Sequence, residues 1–200
     1  AYYGTQITAS VQNNPYTRIR YCNFLLEKMD GVGQALPESF RKTARGQMFF
    51  LRGYQYFQLV RRYGGIPIVL KTTGASSTDE SIRTPRSTAS EVFAQIAKDF
   101  DSAAALLPAV WPSASTNYGR ATSAAALAMK SRALLTAASP LFNKDWDNPG
   151  NAKWQAALDA GLQAETALTS AGYGLYGSNA AQWAEMTYKN DNSFNKEAIM

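Results

Sequence analysis

Histidine is absent from this 200-residue sequence, and cysteine occurs once, at Cys22. The first absence removes Ser-His-Asp and Cys-His catalysis, imidazole zinc sites and histidine proton shuttles together. A single thiol can build neither an internal disulfide nor a multi-thiolate metal site. Within "RIRYCNFLLEKM", Cys22 reads as a small buried apolar residue and not as a nucleophile. No apolar run approaches the roughly 18 residues that a bilayer-spanning helix needs. Nor does any run of five or more basic residues occur, although the net charge is +5. The lysines and arginines are scattered along helical segments, so a solvated basic face is expected and a nucleic-acid partner is not. Neither a G-x-S-x-G elbow nor a phosphate-binding G-x-x-x-x-G-K-[ST] loop is present. The chain opens on Ala1 without a charged and apolar leader and closes on "NKEAIM" in mid-pattern, so a fragment or processed chain is expected.

What is present is helical periodicity in a chain that is 46% hydrophobic, enough for one compact domain. A first helix is predicted from about Tyr16 to Met29, with Ile19, Cys22, Asn23, Leu26 and Met29 on one face and Asp30-Gly31 ending it in a left-handed glycine cap. A second runs from about Pro37 to Tyr63. Ala44, Met48, Leu51 and Leu59 make one stripe, and Phe49, Gly53, Tyr56 and Val60 another on the opposite side, with Phe50, Tyr54 and Phe57 between. A helix apolar on nearly all sides is expected to be packed from two sides. Gly46 and Gly53 would mark close approach of another backbone, and Arg45, Arg52, Arg61 and Arg62 would lie at seams or ends, pairing with carboxylates or helix carbonyls. Gly64-Gly65 ends the helix, and Pro67 makes "IPIVL" an extended segment.

Residues 71 to 86 form a polar loop. Thr88 and Glu91 have capping-box spacing ahead of a one-sided stripe of Val92, Phe93, Ile96, Ala97, Phe100, Ala104 and Leu107, closed by Pro108. An alanine-rich fourth helix ends at Pro140, and a fifth, about Trp154 to Ser170, carries Trp154, Ala157, Leu158, Gly161, Leu162 and Leu168 on one face. The helical scaffold thus covers about 16–170 and a loop-rich tail 171–200, all within a single domain. The fold class is all-α, a tetratricopeptide-like array of antiparallel helices with long irregular loops and no clean repeat.

Chemical motifs are few. "GYGLYG" satisfies G-x-G-x-x-G through Gly172, Gly174 and Gly177, but a helix precedes it where a dinucleotide site needs a strand, so it reads as a turning loop. "DWDNPGNAKW" places Asp145, Asp147 and Gly150 at EF-hand-like positions, yet Pro149 and Ala156 stand where ligands are required. A looser calcium site on Asp145 and Asp147 stays open beside the commoner reading of a turn that caps the next helix. No carboxylate pair stands out for hydrolysis, so no enzyme and no cofactor are expected. Aromatic and amide residues in loops do stand out: Tyr2, Tyr3, Gln6, Asn13, Asn14, Tyr16, Trp111, Tyr118, Trp146 and Trp183. Exposed, such rings stack on the apolar face of a sugar or a peptide side chain while amides give directional hydrogen bonds; otherwise they pack loops onto helices.

The stretch "ARGQMFFLRGYQYFQLVRRYGGIP", Ala44 to Pro67, resembles the signature helix of the SusD/RagB family, written E-A-x-F-L-R-A-x-x-Y-F-x-L-V-x-x-Y-G-G-V-P. Leu51-Arg52, Tyr56-Phe57, Leu59-Val60 and Gly64-Gly65-Ile66-Pro67 match in order, with Gly46, Gln47 and Gly53 as departures. Arg86-Ser87 before "EVFAQIAKDFDSAAALLP", then "YGRATSAAALAMKSRALL", the Trp154 helix ending in "GYGLY", and "NKEAIM" keep the family's order of parts. The resemblance implies the amino-terminal to middle part of an outer-membrane, lipid-anchored surface protein of Bacteroidota. Its expected ligand is a glycan and its expected partner a SusC-like TonB-dependent transporter, with contact to membrane only through an anchor outside this segment. A peptide-binding RagB-like role is the alternative, and a tetratricopeptide-type protein-interaction scaffold stands further off. The segment before the first helix contributes ligand contacts in glycan-binding members, which makes Tyr2, Tyr3, Asn13, Asn14 and Tyr16 the expected binding residues.

Overall fold

The structure is a computed structural model, and it describes residues 14–72, 83–117, 119–148, 150–175 and 197. The helices are α1 (Pro15–Asp30), α2 (Glu38–Tyr63), α3 (Ala89–Leu106), a single turn α4 (Ala114–Asn117), α5 (Ser123–Ala138) and α6 (Ala152–Ser170), with a 3-10 turn at Val32–Ala35. Among the described residues there is no strand. Each long helix packs on the next, α1 on α2, α2 on α3, α3 on α5 and α5 on α6.

Cross-helix contacts fix the directions as antiparallel. The backbone at Gly53 lies against Asp99 and Phe100, and that at Gly46 against Leu106 and Leu107. Lys130 reaches Asp101 at 2.7 Å while the Ser123 amide donates to the Pro108 carbonyl. At the far end of the array Gly161 sits over Ser131. The starts of α1, α3 and α6 and the ends of α2 and α5 therefore share one end of the array.

The core explains why these segments are helices. Tyr56, Phe57, Val60, Val92, Ile96 and Phe100 are buried between α2 and α3, and Phe50 meets Phe100 edge-on at 5.6 Å. Thr88 and Glu91 form the expected capping box, in which the Thr88 hydroxyl accepts from the Glu91 amide and the Glu91 carboxylate accepts from the Thr88 amide. Alanine fills α5, where Ala124, Ala125, Ala126, Ala133, Ala137 and Ala138 are buried between α3 and α6.

Four expectations need correction. Gly31 has φ −108°, so α1 ends in the 3-10 turn and not in a left-handed cap. The neighbours of Gly46 and Gly53 are side chains, Leu107 and Asp99 foremost, because α3 presents its own side chains and not its backbone to these positions. Leu51 is exposed, since α1 and α3 cover the other sides of α2 and leave that ridge to solvent. On α6 the inward face is Ala157, Ala160 and Ala164, while Leu158 and Leu162 face outward. Small residues let α6 approach α5 closely, and the leucines line a groove with Ser131, Leu135, Trp154 and Glu165.

Candidate ligand-binding end of the helical array

At the end where α2 stops, two glycines do different work. Gly64 has φ +68°, which a side chain strains, and its amide closes the helix on the Val60 carbonyl. Gly65 lies directly beneath the Ser87 carbonyl, where a Cβ could not fit. The Arg86 guanidinium donates to the Tyr63 and Gly65 carbonyls, at 2.9 Å and 2.6 Å, so it satisfies groups that the helix end leaves open.

From Ile66 the chain runs extended as a strap over α1 and α2, held by side chains in place of a sheet. The Tyr16 hydroxyl donates to the Pro67 carbonyl at 2.9 Å. Tyr56 both donates to the Val69 carbonyl and accepts from the Val69 amide, each at 2.8 Å. Asn23 donates to the Val69 carbonyl at 2.9 Å and the Lys71 carbonyl at 3.4 Å. Glu27 accepts from the Thr72 amide and hydroxyl, and the hydroxyl foremost holds its carboxyl below the usual range.

Behind the strap lies a buried polar chain. Arg52 grips Asp99 through two bonds, Nε to Oδ2 at 2.9 Å and Nη2 to Oδ1 at 2.7 Å, and donates through Nη1 to Asn23 Oδ1 at 2.9 Å. Gln95 adds a donor to Asp99 at 2.9 Å. Burial pushes the Asp99 carboxyl up while Arg52 pulls it back. The network links α3, α2 and α1 to the strap through Asn23. Asn23 had read from sequence as one more core position, and only its partners reveal that it joins the helices to the strap.

The expected binding residues fare unevenly. Tyr2, Tyr3 and Asn13 lie outside the described residues, as do Gln6, Tyr118 and Trp183. Asn14 caps α1, its side chain accepting from the Tyr16 amide at 3.0 Å. Burial raises the Tyr16 hydroxyl pKa, and the group is spent on Pro67. Trp111 is tied by Nε1 to the Ala121 carbonyl at 2.8 Å and lies under the Arg120 guanidinium at 3.7 Å. Each of these three thus has a contact within the chain. Trp146 is different: it is 48% exposed on the loop between α5 and α6, at the same end of the array as Tyr16 and the strap.

Cys22 is buried and its thiol is pushed up to about 11, which leaves it unreactive at neutral pH. In the "DWDNPG" turn the Asp145 carboxylate accepts from the Asn148 amide at 3.2 Å and the Asn151 amide at 3.3 Å. Asn151 also caps α6, so these residues make the turn and cap. Among the described residues no three His, Cys, Asp or Glu side chains come together as a metal site, and no helix is long and apolar enough to cross a membrane.

Residues 4–135 match a SusD-like family model described as starch-binding, associating with outer membrane. The chain belongs to the SusD-like family. No curated protein matches it. Among solved structures it is similar to a SusD-like protein from Bacteroides fragilis, at 26% identity and a TM-score of 0.73, over 96% of this chain and 33% of that one. It shares its fold with a surface glycan-binding protein from Bacteroides uniformis, at 19% identity and TM-score 0.66, over 95% and 37% of the two chains. A structure with xylogluco-oligosaccharide aligns at 20% identity and TM-score 0.70, over 96% and 34%. The SusD-like chain thus spans about a third of the length of the structures it matches.

Proposed function

We propose that this chain is part of a cell-surface glycan-binding protein that captures an oligo- or polysaccharide and delivers it to a SusC-like TonB-dependent transporter. The family match over residues 4–135, with its starch-binding and outer-membrane description, carries the reading. The array agrees with it in kind: a packed scaffold brings loops and aromatic side chains to one end, and the sequence lacks the histidine and thiol chemistry of many hydrolases. Attachment would be through a lipid anchor outside this segment, and the role is binding without turnover. The structure aligned with xylogluco-oligosaccharide is too distant in sequence for its sugar to be carried over.

The test is retardation of the full-length protein in native gels cast with amylopectin, xyloglucan, arabinan and polygalacturonan. Retardation by at least one of them is expected, with no release of reducing ends. If all four leave the mobility unchanged, glycan capture fails as the reading, and mass spectrometry for co-purified peptides addresses the RagB-like alternative. Tyr2, Tyr3, Asn13, Asn14 and Tyr16 remain part of the proposal, and changing Tyr2 and Tyr3 to alanine tests whether the opening segment contributes.

A further inference from the structure

We propose that the loop between α5 and α6 is a sugar-stacking site with Trp146 as its platform, an inference that rests on the glycan reading above. Of the loop aromatics among the described residues, Tyr16 and Trp111 are tied down by hydrogen bonds to the chain. Trp146 is 48% exposed as a residue, and among the described residues its ring N–H makes no hydrogen bond. A large aromatic left open, with its donor free, is the residue type that covers the C–H face of a pyranose and donates to a hydroxyl.

The loop that carries it is held still from several directions. Trp154 Nε1 donates to the Trp146 carbonyl at 2.7 Å, which anchors the backbone of the platform itself. Asn151 donates to the Asp145 carbonyl at 2.8 Å, and the Gly150 amide donates to Asn148 Oδ1 at 3.0 Å. Upstream, buried Asn143 donates to the Ala138 carbonyl at 3.2 Å, and Phe142 meets Phe93 of α3 edge-on at 5.0 Å. A platform fixed before the ligand arrives loses little freedom on binding.

Two polar residues share the exposed turn with Trp146. Lys144 and Asp147 are exposed, and among the described residues neither makes a hydrogen bond or ion pair. On the same turn as Trp146 they bring one donor group and one acceptor group, the chemistry that hydrogen-bonds sugar hydroxyls. Asp145 is differently placed, since Asn148 and Asn151 already occupy its carboxylate. The site therefore comprises Trp146, Lys144 and Asp147, and its ligand class is a neutral hexose or pentose unit of an oligosaccharide.

The experiment uses the full-length protein and the same four polysaccharides, comparing wild type with Trp146→Ala, Trp146→Phe and Asp147→Asn, and titrating the retarding glycan by calorimetry. The ring is exposed and fills no core space, so Trp146→Ala is expected to keep the wild-type melting temperature while raising Kd roughly tenfold or more, as loss of a tryptophan anchor does. Trp146→Phe, which keeps a ring face, is expected to recover part of the loss. Retardation of Trp146→Ala equal to wild type overturns the Trp146 site and leaves glycan capture standing. Failure of wild type to bind any of the four overturns the glycan reading and the site with it.

Discussion

Arg52 and Asp99 are 5% and 1% exposed, and each depends on the other for its place in the core. Removing one partner of such a pair leaves a charge in apolar surroundings, which costs about 3–5 kcal/mol. Asp99→Ala is therefore expected to lower the unfolding free energy measured in urea by that much, whereas the double change Arg52→Met with Asp99→Leu recovers most of the loss. A cost for Asp99→Ala under about 1 kcal/mol would mean that the pair contributes little. Sequence alone placed Arg52, with the other arginines of the helix, at a seam or end where it would pair with a carboxylate or with helix carbonyls. It did not say which carboxylate: fifteen acids are candidates, and only the antiparallel crossing of α2 and α3 brings Asp99 opposite. Trp146 illustrates the same limit for the candidate site. Its residue type and loop position were legible, but whether the ring was open or folded back depended on how the turn between α5 and α6 is held, which spacing does not report.

At the scale of elements, helix positions were legible to within a residue or two, because caps and stops such as Thr88, Gly64 and Pro108 are local chemistry. Burial was less so, as Leu51, Leu158 and Leu162 show: periodicity reports an apolar face, and the neighbour that covers it is a tertiary fact. Two predictions belong to the α2 stop. Gly64→Ala introduces a side chain at φ +68° and is expected to cost about 1–3 kcal/mol from backbone strain alone. Gly65→Ala is expected also to displace Ser87 and weaken the Arg86 contacts, so amide exchange at Ser87 rises in that variant and stays at the wild-type rate in Gly64→Ala.

The strap adds a pH dependence at the same scale. Hydrogen bonds from Thr72, its hydroxyl foremost, hold the Glu27 carboxyl below the ordinary carboxylate range in the folded chain. A depressed acid stabilises the fold above its unfolded pKa and loses that contribution as pH falls through the folded value. Protection of the Thr72 amide, corrected for intrinsic exchange, is thus expected to be full near neutrality and to fall only below pH 4.5. Glu27→Gln should flatten that profile, and a profile unchanged in the variant would show that another group controls the strap's outer end.

Across the whole molecule, antiparallel succession turns five helix termini to one side, and the loops there carry the proposed Trp146 site of the SusD-like chain. The helix contacts that hold the array lie between those ends, in Ala-rich and aromatic surfaces to which loop residues such as Ile66, Trp111, Phe142 and Asn143 add as anchors. Residues 144–148 are all exposed, and their side chains take no part in that core. Exchange of this short segment for another of equal length is expected to change which glycan retards the protein while its melting temperature stays near the wild-type value, provided that Asn143, Asn151 and Trp154 are kept. A shared drop in melting temperature and binding would show that the segment is structural after all. The strap behaves in the opposite way. At Pro67, Val69 and Lys71 its clamps hold main-chain atoms, so exchanging those side chains leaves the contacts in place, whereas deleting one residue would put every carbonyl out of step with Tyr16, Asn23 and Tyr56. Side-chain exchanges at Val69 and Lys71 that keep the backbone amide should therefore be tolerated over evolutionary time, whereas insertions and deletions in the strap are purged.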